Sequence, residues 1–267
     1  MPTPLDILLD PISLAVIAIF AAFALWEAIA PGRPLPQVRG WRLRGVAAFL
    51  IYVIVSTYLP LLWTEHLAAW QLVDLAALGT WGGAAVGLLV YEAVAYAWHR
   101  SMHGADRLWR SVHQMHHSSE RLDAFSAFWF SPLDMVGWTA ASSLALTLLV
   151  GITAEAATVV LLTVTLLAIF QHANVRTPRW LGYLVQRPES HSYHHGRGRH
   201  TGNFADLPVF DLAFGTFFNP PAFAPATGFY DGASARLGDM LLWRDVSAPH
   251  VDEAAAEALR PLGFTHD

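Results

Sequence analysis

Five long apolar runs constrain the fold of this chain more than any other feature of its sequence. They lie near residues 11–30, 43–63, 79–98, 133–150 and 154–171. A helix needs about 20 apolar residues to cross a bilayer, and each run is close to that length. Buried helices of a soluble bundle are disfavoured, because only 14% of the 267 residues are charged, against about a quarter in soluble domains. The sequence therefore predicts an all-α, polytopic membrane bundle of four to five helices.

The distribution of arginines predicts how these helices are oriented. Arginines follow the first, third and fifth runs, whereas the segment 65–78 and the turn at 151–155 contain none. Under the positive-inside rule, the N-terminus then lies outside and the C-terminal third lies in the cytoplasm. The pair of runs at 133–150 and 154–171 allows a second interpretation, a hairpin that enters the bilayer without crossing it fully.

We expect a single membrane-embedded domain over residues 1–267. Its cytoplasmic helical cap is predicted to comprise residues 99–131 and 172–267. Acidic rather than basic residues precede the first apolar run, so we interpret that run as a retained helix and not as a signal peptide. Residues 65–78 are predicted to form a short interfacial stretch, and residues 251–260 a small surface helix.

Nine of the thirteen histidines cluster in four short motifs. They are His99 and His103 in HRSMH, His113, His116 and His117 in HQMHH, His172 in QHANV, and His191, His194 and His195 in HSYHH. Helix residues at i and i+4 share a face, and the residue at i+3 lies at its edge. One HxxHH triplet can therefore supply ligands to two neighbouring metal ions. Nine imidazoles exceed what one ion can bind, and they match two ions that keep open positions.

The chemistry of this cluster is that of a metal site at the ends of membrane helices. Neutral imidazole binds iron, zinc, copper and nickel, so spacing alone does not choose among these metals. The chain has no cysteine, which excludes thiolate ligands and a built-in iron–sulfur cluster. His66, His250 and His266 are isolated and are predicted not to bind metal. His200 lies close to the last motif, and its role is open.

Glu92 is the strongest candidate for a supporting residue. With Tyr96, His99 and His103 it forms one stripe on the third predicted helix, because these residues are spaced 4, 3 and 4 apart. A carboxylate within a membrane segment is energetically unfavourable and usually functional. We therefore predict that Glu92 accepts the free N–H of a liganding histidine. A structural ion pair with a buried arginine is the alternative.

Other residues near the motifs are candidates for a second shell of contacts and for a substrate channel. Asn174 and Asn203 lie next to histidine motifs, and Asn203 either holds a metal-bound water or caps a turn. The aromatic side chains predicted to line an apolar channel are Tyr96, Phe125, Phe128 and Trp129. Anchoring at the membrane interface is the alternative role for these aromatics.

These motifs together resemble the fatty acid hydroxylase superfamily, which includes sterol desaturases and sterol methyl oxidases. The resemblance runs from about Glu92 to Asn219. EAVAYAWHRSMH looks like the acidic, aromatic and HRxxH segment of the family, and HQMHHSS like its HxxHH box. QHANV is similar to the single-histidine box, and PESHSYHH followed by GNFADLPVFDLAFGTF resembles the closing box and the FGT signature.

The resemblance implies a membrane di-iron site that activates O₂ and hydroxylates a C–H bond of a lipid such as a fatty acyl chain or a sterol. Flavin, haem and dinucleotide motifs are absent from the sequence, so electrons are expected from a separate donor protein. The arginines that could form the docking face for this donor are Arg176, Arg179, Arg187, Arg197 and Arg199. The net charge of −5 disfavours nucleic acid as a partner. The alternatives are desaturation by the same centre and a metal-binding membrane protein or transporter.

Two positions depart from the family pattern. Many members carry a histidine just before the Pro-Leu-acidic segment that follows the second box, and this chain has Ser131 there, in FSPLD. The usual extra ligand is therefore either missing or replaced by another group. The acidic residue of the third helix is Glu92, where aspartate is common. The nine histidines are unaffected by either difference.

Overall fold

The computed structural model describes residues 2–249, and this part of the chain is mostly helical. Its α-helices are α1 (Pro4–Leu9), α2 (Pro11–Ile29), α3 (Trp41–Ala69), α4 (Gly79–Gly104), α5 (Asp106–Leu108), α6 (Gln114–His117), α7 (Pro132–Ser143), α8 (Ala154–His172), α9 (Pro188–His194), α10 (Val209–Ala213) and α11 (Leu237–Leu241). Short 3₁₀ helices span Ala76–Leu78, Ala124–Ser126, Arg179–Tyr183 and Ala233–Ala235, and π-helical turns span Trp109–His113 and Leu144–Leu149. Two strands, β1 (Val73–Asp74) and β2 (Val150–Gly151), pair in parallel.

Four helical segments are long and apolar enough to cross a membrane: α2, α3, α8 and the segment Ala76–Gly104 that contains α4. Their apolar side chains point outward, since Leu43 is 76% exposed and Ile29 is 74% exposed. Apolar faces of this extent mark a surface that contacts membrane or protein, and the length of these helices indicates a membrane. The predicted all-α bundle is thus confirmed. Among the described residues it has four membrane-length helices, the lower of the two numbers predicted, as expected of an integral membrane protein.

The run at 133–150 folds as a helix but is not among these four. Pro132 opens α7 at its first turn, where the missing N–H needs no partner. The α-helix has 12 residues and continues as the π-helical turn Leu144–Leu149 before β2 begins. It packs against α3 and α4.

Two predicted boundaries were wrong. Helix α3 was expected to end at residue 63 but continues through Pro60 to Ala69, so most of the predicted interfacial stretch is helical or immediately follows a helix. Helix α4 was expected to end near residue 98 but continues to Gly104, so the HRSMH motif lies on this helix, as the stripe with Glu92 predicted, and not in the cap. Long apolar helices extend past the apolar run because each added residue gains a backbone hydrogen bond once the helix exists.

We use the name cap for residues 105–131 and 173–249, which cover one end of the bundle. Its apolar core joins Trp41 at the start of α3 to Trp129, Phe229 and Met240. Glu120 also holds the cap together, because its carboxylate accepts backbone N–H groups from Gly232 and Ser234. The surface helix predicted at 251–260, His250 and His266 lie outside the described residues.

Candidate metal centre

Helix ends bring the four histidine motifs together at the base of the cap. His99 and His103 lie on the last turns of α4, and His172 is the last residue of α8. The HQMHH motif spans the end of a π-helical turn and α6, whereas the HSYHH motif spans α9 and its C-cap. Side chains on helix ends are held by the packing of whole helices, which restricts their positions more than a loop would.

The nine histidines form two adjacent groups in which all candidate ligand atoms lie within 4.8 Å of one another. The first group is His99, His103, His113, His117 and His194, and the second is His116, His172, His191 and His195. Each HxxHH motif contributes its first and last histidine to one group and its middle histidine to the other. This is the division between two sites that the spacing predicted. That both groups bind metal remains a prediction.

Hydrogen bonds on the outer side of the first group orient its rings inward. His99 Nδ1 donates to the Phe204 carbonyl at 2.7 Å, and His194 Nδ1 donates to the Gly202 carbonyl at 2.7 Å. His113 Nδ1 donates to Asp134 Oδ2 at 2.9 Å. Because these oxygens accept hydrogen bonds, each Nδ1 carries the proton, and each neutral ring presents a lone pair at Nε2.

These lone pairs face one another, an arrangement in which the first group could hold a cation. The Nε2 atoms of His99 and His113 are 3.0 Å apart, although neither carries a proton to share. The Nε2 atoms of His103, His117 and His194 are buried and have no hydrogen-bond partner among the described residues. A metal ion bonded to imidazole nitrogens at about 2.0–2.1 Å holds neighbouring nitrogens roughly 3 Å apart. The geometry therefore fits one metal ion at the centre of this group.

The second group repeats this arrangement around His172. Its Nδ1 donates to the Ala168 carbonyl at 2.7 Å, so its Nε2 presents a lone pair. That Nε2 lies 3.1 Å from His116 Nε2 and 3.0 Å from His191 Nε2. His195 Nε2 lies 3.2 Å from His191 Nε2. Four imidazole nitrogens thus converge on one point, as the ligands of a second metal ion would.

Burial favours the uncharged form of the histidines in the cap. Burial, followed by the proximity of other imidazoles, lowers the pKa of each ring well below its ordinary value for His113, His116, His117, His191, His194 and His195. Neutral imidazole is the form that binds metal ions. Burial thus keeps the ligands in their binding form.

Ser131 and Asp134 of the FSPLD segment lie beside the first histidine group but are not among its members. Ser131 is the N-cap of α7, where its hydroxyl accepts the Asp134 N–H and donates to the Val112 carbonyl at 2.7 Å. It belongs to neither histidine group. Asp134 orients His113 instead, which is the contact we had assigned to Glu92. The sequence signal for this contact was the acidic residue of the Pro-Leu-acidic segment, which was not among the predicted supporting residues.

Glu92 does not contact a histidine, so its predicted role was wrong. Its Oε2 accepts the backbone N–H groups of Asp206 and Leu207, at 3.0 and 3.1 Å. The carboxylate therefore ties α4 to the segment that supplies Phe204, whose carbonyl orients His99. Glu92 therefore acts on the histidine site by holding the backbone next to Phe204, and not by a hydrogen bond to a histidine.

We expect Glu92→Ala to lower the apparent thermal midpoint of the purified protein by about 5 °C or more. Two partly buried N–H groups would lose their acceptor, at about 1–3 kcal/mol each, and each 1 kcal/mol shifts the midpoint of a chain this long by about 2–4 °C. Glu92→Gln keeps an oxygen acceptor and should retain most of the stability. Equal losses in both variants would show that the charge matters and not the hydrogen bonds.

The two predicted asparagines form hydrogen bonds to backbone segments, and Asn203 also lines the inner cavity beside the histidines. Asn174 bonds Arg33 twice, accepting its N–H at 3.1 Å and donating to its carbonyl at 2.7 Å. Asn203 does the same to Phe218, at 2.7 and 2.8 Å. The left-handed backbone of Asn203 (φ +54°) is one that asparagine tolerates well.

His200, whose role the sequence left open, lies at the edge of the first group. Its backbone φ is positive, and its Nδ1 lies 3.1 Å from His117 Nδ1.

Two cavities lie in series on the membrane side of the histidines. The inner one, of about 70 Å³, is lined by His99, His113, His116, His172 and His191 together with Phe128 and Phe130. The outer one, of about 290 Å³, lies among α2, α3, α7 and α8. Tyr52, Phe128 and Thr165 line both cavities and form the boundary between them.

Of the four aromatic residues predicted for a channel, only Phe128 lines these cavities. Tyr96 instead stacks on Phe214, with ring centroids 5.2 Å apart. Phe125 packs edge-on against Phe20 of α2, and Trp129 packs in the cap core. The sequence predicted that these rings lie near the site. Whether a ring faces a cavity depends on the direction in which its side chain points, which the tertiary structure sets.

Of the five arginines proposed as a docking face, Arg187 is buried and cannot contribute. It is 1% exposed and forms an ion pair with Glu189 at 3.0 Å. The other four are exposed. A partner at this face would therefore meet fewer charges than the sequence suggested.

Comparison with known proteins places these motifs in a family context. The family model described as fatty acid hydroxylase matches residues 84–216. The match begins inside α4, ends after α10 and includes all nine histidines. No solved structure matches the chain significantly.

Proposed function

The chain belongs to the fatty acid hydroxylase family, and we propose on this premise that it binds two iron ions and uses O₂ to hydroxylate a C–H bond of a membrane lipid. The observation that carries the proposal is the pair of inward-facing histidine groups at the end of a cavity that opens among the membrane helices. Two irons bound there would supply the oxidation of an unactivated C–H bond, with electrons from a separate donor protein.

The protein's own residues orient the ligands and exclude water. Carbonyl oxygens of Phe204, Gly202 and Ala168 fix three histidine rings, and Asp134 fixes a fourth. Such outer hydrogen bonds set ring direction and raise ligand basicity. Eight of the nine histidines are buried, so the centre is shielded from bulk water.

The location of the ligands favours catalysis over transport. Transporters usually place their ligands near the middle of the membrane, on discontinuous helices. Here His103 and His172 lie at the ends of spanning helices, and the cap supplies the remaining motifs. The arginines of the loops at this end of the bundle support a cytoplasmic location for the centre, where an electron donor has access.

The two cavities offer a route for a lipid chain to the centre. His172 borders the inner cavity and Thr158 borders the outer one. They are 14 positions apart on α8, which corresponds to about 21 Å along the helix. One leaflet of hydrocarbon is about 15 Å thick, half of the bilayer core. The cavities in series are therefore long enough for an acyl or similarly extended chain that approaches end-on.

Metal analysis and product analysis together test this function. We expect about two irons per chain in protein purified from iron-supplied cells. Incubation with a reductase system, O₂ and host lipid extract should yield a lipid that has gained one oxygen atom. Loss of two hydrogens instead would identify a desaturase. One metal per chain, or no lipid oxidation by protein with full iron, would refute the proposal.

Thr165→Trp should block the route without disturbing the metals. Thr165 lines both cavities, so an indole there would fill the boundary between them. We expect product formation to fall by about tenfold or more, the effect of displacing a substrate from its reactive position, with iron content unchanged. Thr163→Trp is the matched control, because Thr163 is on the same helix but lines neither cavity. Equal activity in both variants would exclude this route.

A further inference from the structure

A pocket of about 590 Å³ at the cap end of the bundle collects four arginines. It lies between the end of α2 and the start of α3, beside the loop that follows α8. Its charged lining residues are Arg33, Arg42, Arg121, Arg176 and Glu27. We call it the arginine pocket. It shares no lining residue with the two cavities near the histidines.

Hydrogen bonds between two loops make the floor of this pocket rigid. Asn174 bonds both backbone groups of Arg33, and its own N–H donates to Glu27 Oε2 at 3.1 Å. Gly32 donates to the Asn174 carbonyl at 2.6 Å, and Arg176 Nε donates to the Gly32 carbonyl at 2.9 Å. The pocket is therefore a built concavity and not a gap between mobile loops.

The positive charge of the pocket is only partly compensated. Among the residues that the structure describes, Glu27 is the one lining carboxylate, and it already accepts two backbone N–H groups. Arg121 forms an ion pair with Asp123. Arg42 and Arg176 are exposed, and the contacts seen for their guanidinium groups are a cation–π contact to Phe125 and the single Nε bond to Gly32.

We propose that the arginine pocket binds a phosphate group. Guanidinium groups bind phosphate oxygens through paired, charge-assisted hydrogen bonds, which the free edges of Arg42 and Arg176 can supply. The pocket lies where α2 ends and α3 begins, and the ends of membrane-spanning helices lie near the lipid headgroups. Basic pockets between membrane helices on the cytoplasmic side bind anionic headgroups. The phosphate can come from such a headgroup or from a soluble phosphate compound.

The experiment compares three forms of the purified full-length protein in nanodiscs of phosphatidylcholine doped with phosphatidylglycerol. They are the wild type, the double variant R42Q/R176Q and the control R39Q, which removes an exposed arginine from the loop before α3 but outside the pocket. Native mass spectrometry measures the phosphatidylglycerol that each form retains. We expect about tenfold weaker retention in the double variant, equivalent to about 1.4 kcal/mol, and no change in R39Q.

Competition identifies the source of the phosphate. Displacement of phosphatidylglycerol by millimolar inorganic phosphate would support the site and assign it to soluble phosphate compounds. Retention despite inorganic phosphate would support it and assign it to a lipid headgroup. Equal retention by R42Q/R176Q and R39Q would overturn the proposal, as would equally strong retention of oleate, a carboxylate without phosphate. The result does not depend on iron or oxidation, so it can fail while the proposed function stands.

Discussion

His172→Ala is expected to remove about one metal ion per chain and to lower lipid oxidation by more than 100-fold, beyond what loss of an outer hydrogen-bond partner costs. His172 belongs to the four-histidine group, and its Nε2 lies about 3 Å from two of the other three ligand nitrogens. Three imidazoles would remain around a position that four now define. The metal content of purified protein, measured by plasma mass spectrometry, gives the result directly.

His103→Ala provides the internal comparison. His103 belongs to the five-histidine group and is its one half-buried member, so four buried imidazoles would remain. We expect this variant to keep close to two metals. His66→Ala, an exposed position outside both groups, controls for general effects of losing a histidine. If His103→Ala lost as much metal as His172→Ala, the unequal division of ligands between two ions would be wrong.

Asp134→Ala is expected to weaken metal binding by about 10–100-fold, the usual consequence of removing an outer partner of a liganding histidine. The Asp134 carboxylate is buried and holds His113 Nδ1 at 2.9 Å. Without it, the ring can rotate or change tautomer, and its Nε2 no longer presents a fixed lone pair. Titration of the metal-stripped variant with ferrous iron under anaerobic conditions measures the change in affinity.

Asp134→Asn separates geometry from charge at this position. The amide oxygen of asparagine can still accept a hydrogen bond from the Nδ1–H of His113. The ring then keeps its direction while the negative charge is lost. We expect a loss of metal affinity smaller than that of the alanine variant.

Ser131→Ala tests the N-cap of α7, which the Ser131 hydroxyl forms. It should cost about 1 kcal/mol of stability with little change in metal affinity. A large loss of metal in the serine variant would mean that Ser131 acts at the centre after all.

The membrane bundle and the identity of the nine histidines could be predicted from sequence because both depend on local periodicity. A run of about 20 apolar residues is a span in almost any context, and i, i+3 and i+4 spacing places side chains on one face once a helix forms. The helix ends were less predictable. Helix α4 continues past its apolar run to Gly104, because a helix that is already formed extends into polar sequence at low cost.

Contacts between distant elements could not be predicted in the same way. Asp134 meets His113 across 21 residues of chain and Glu92 reaches Asp206 across 114. No local sequence pattern indicates that residues so far apart in the chain form a contact. The same holds for the arginine pocket, where Asn174 joins Arg33 across 141 residues.

The sequence by itself determined that this chain is a helical membrane protein with a poly-histidine site, since apolar length and histidine spacing act within single helices. Spacing predicted that each HxxHH triplet divides between two sites, but only the tertiary structure decided which of the nine histidines come together in the groups of five and four. That division depends on the relative rotation of α4, α6, α8 and α9, which packing sets. Packing likewise turned Phe128 toward the cavities and Tyr96 and Trp129 away from them, because the direction of a side chain depends on what its helix packs against.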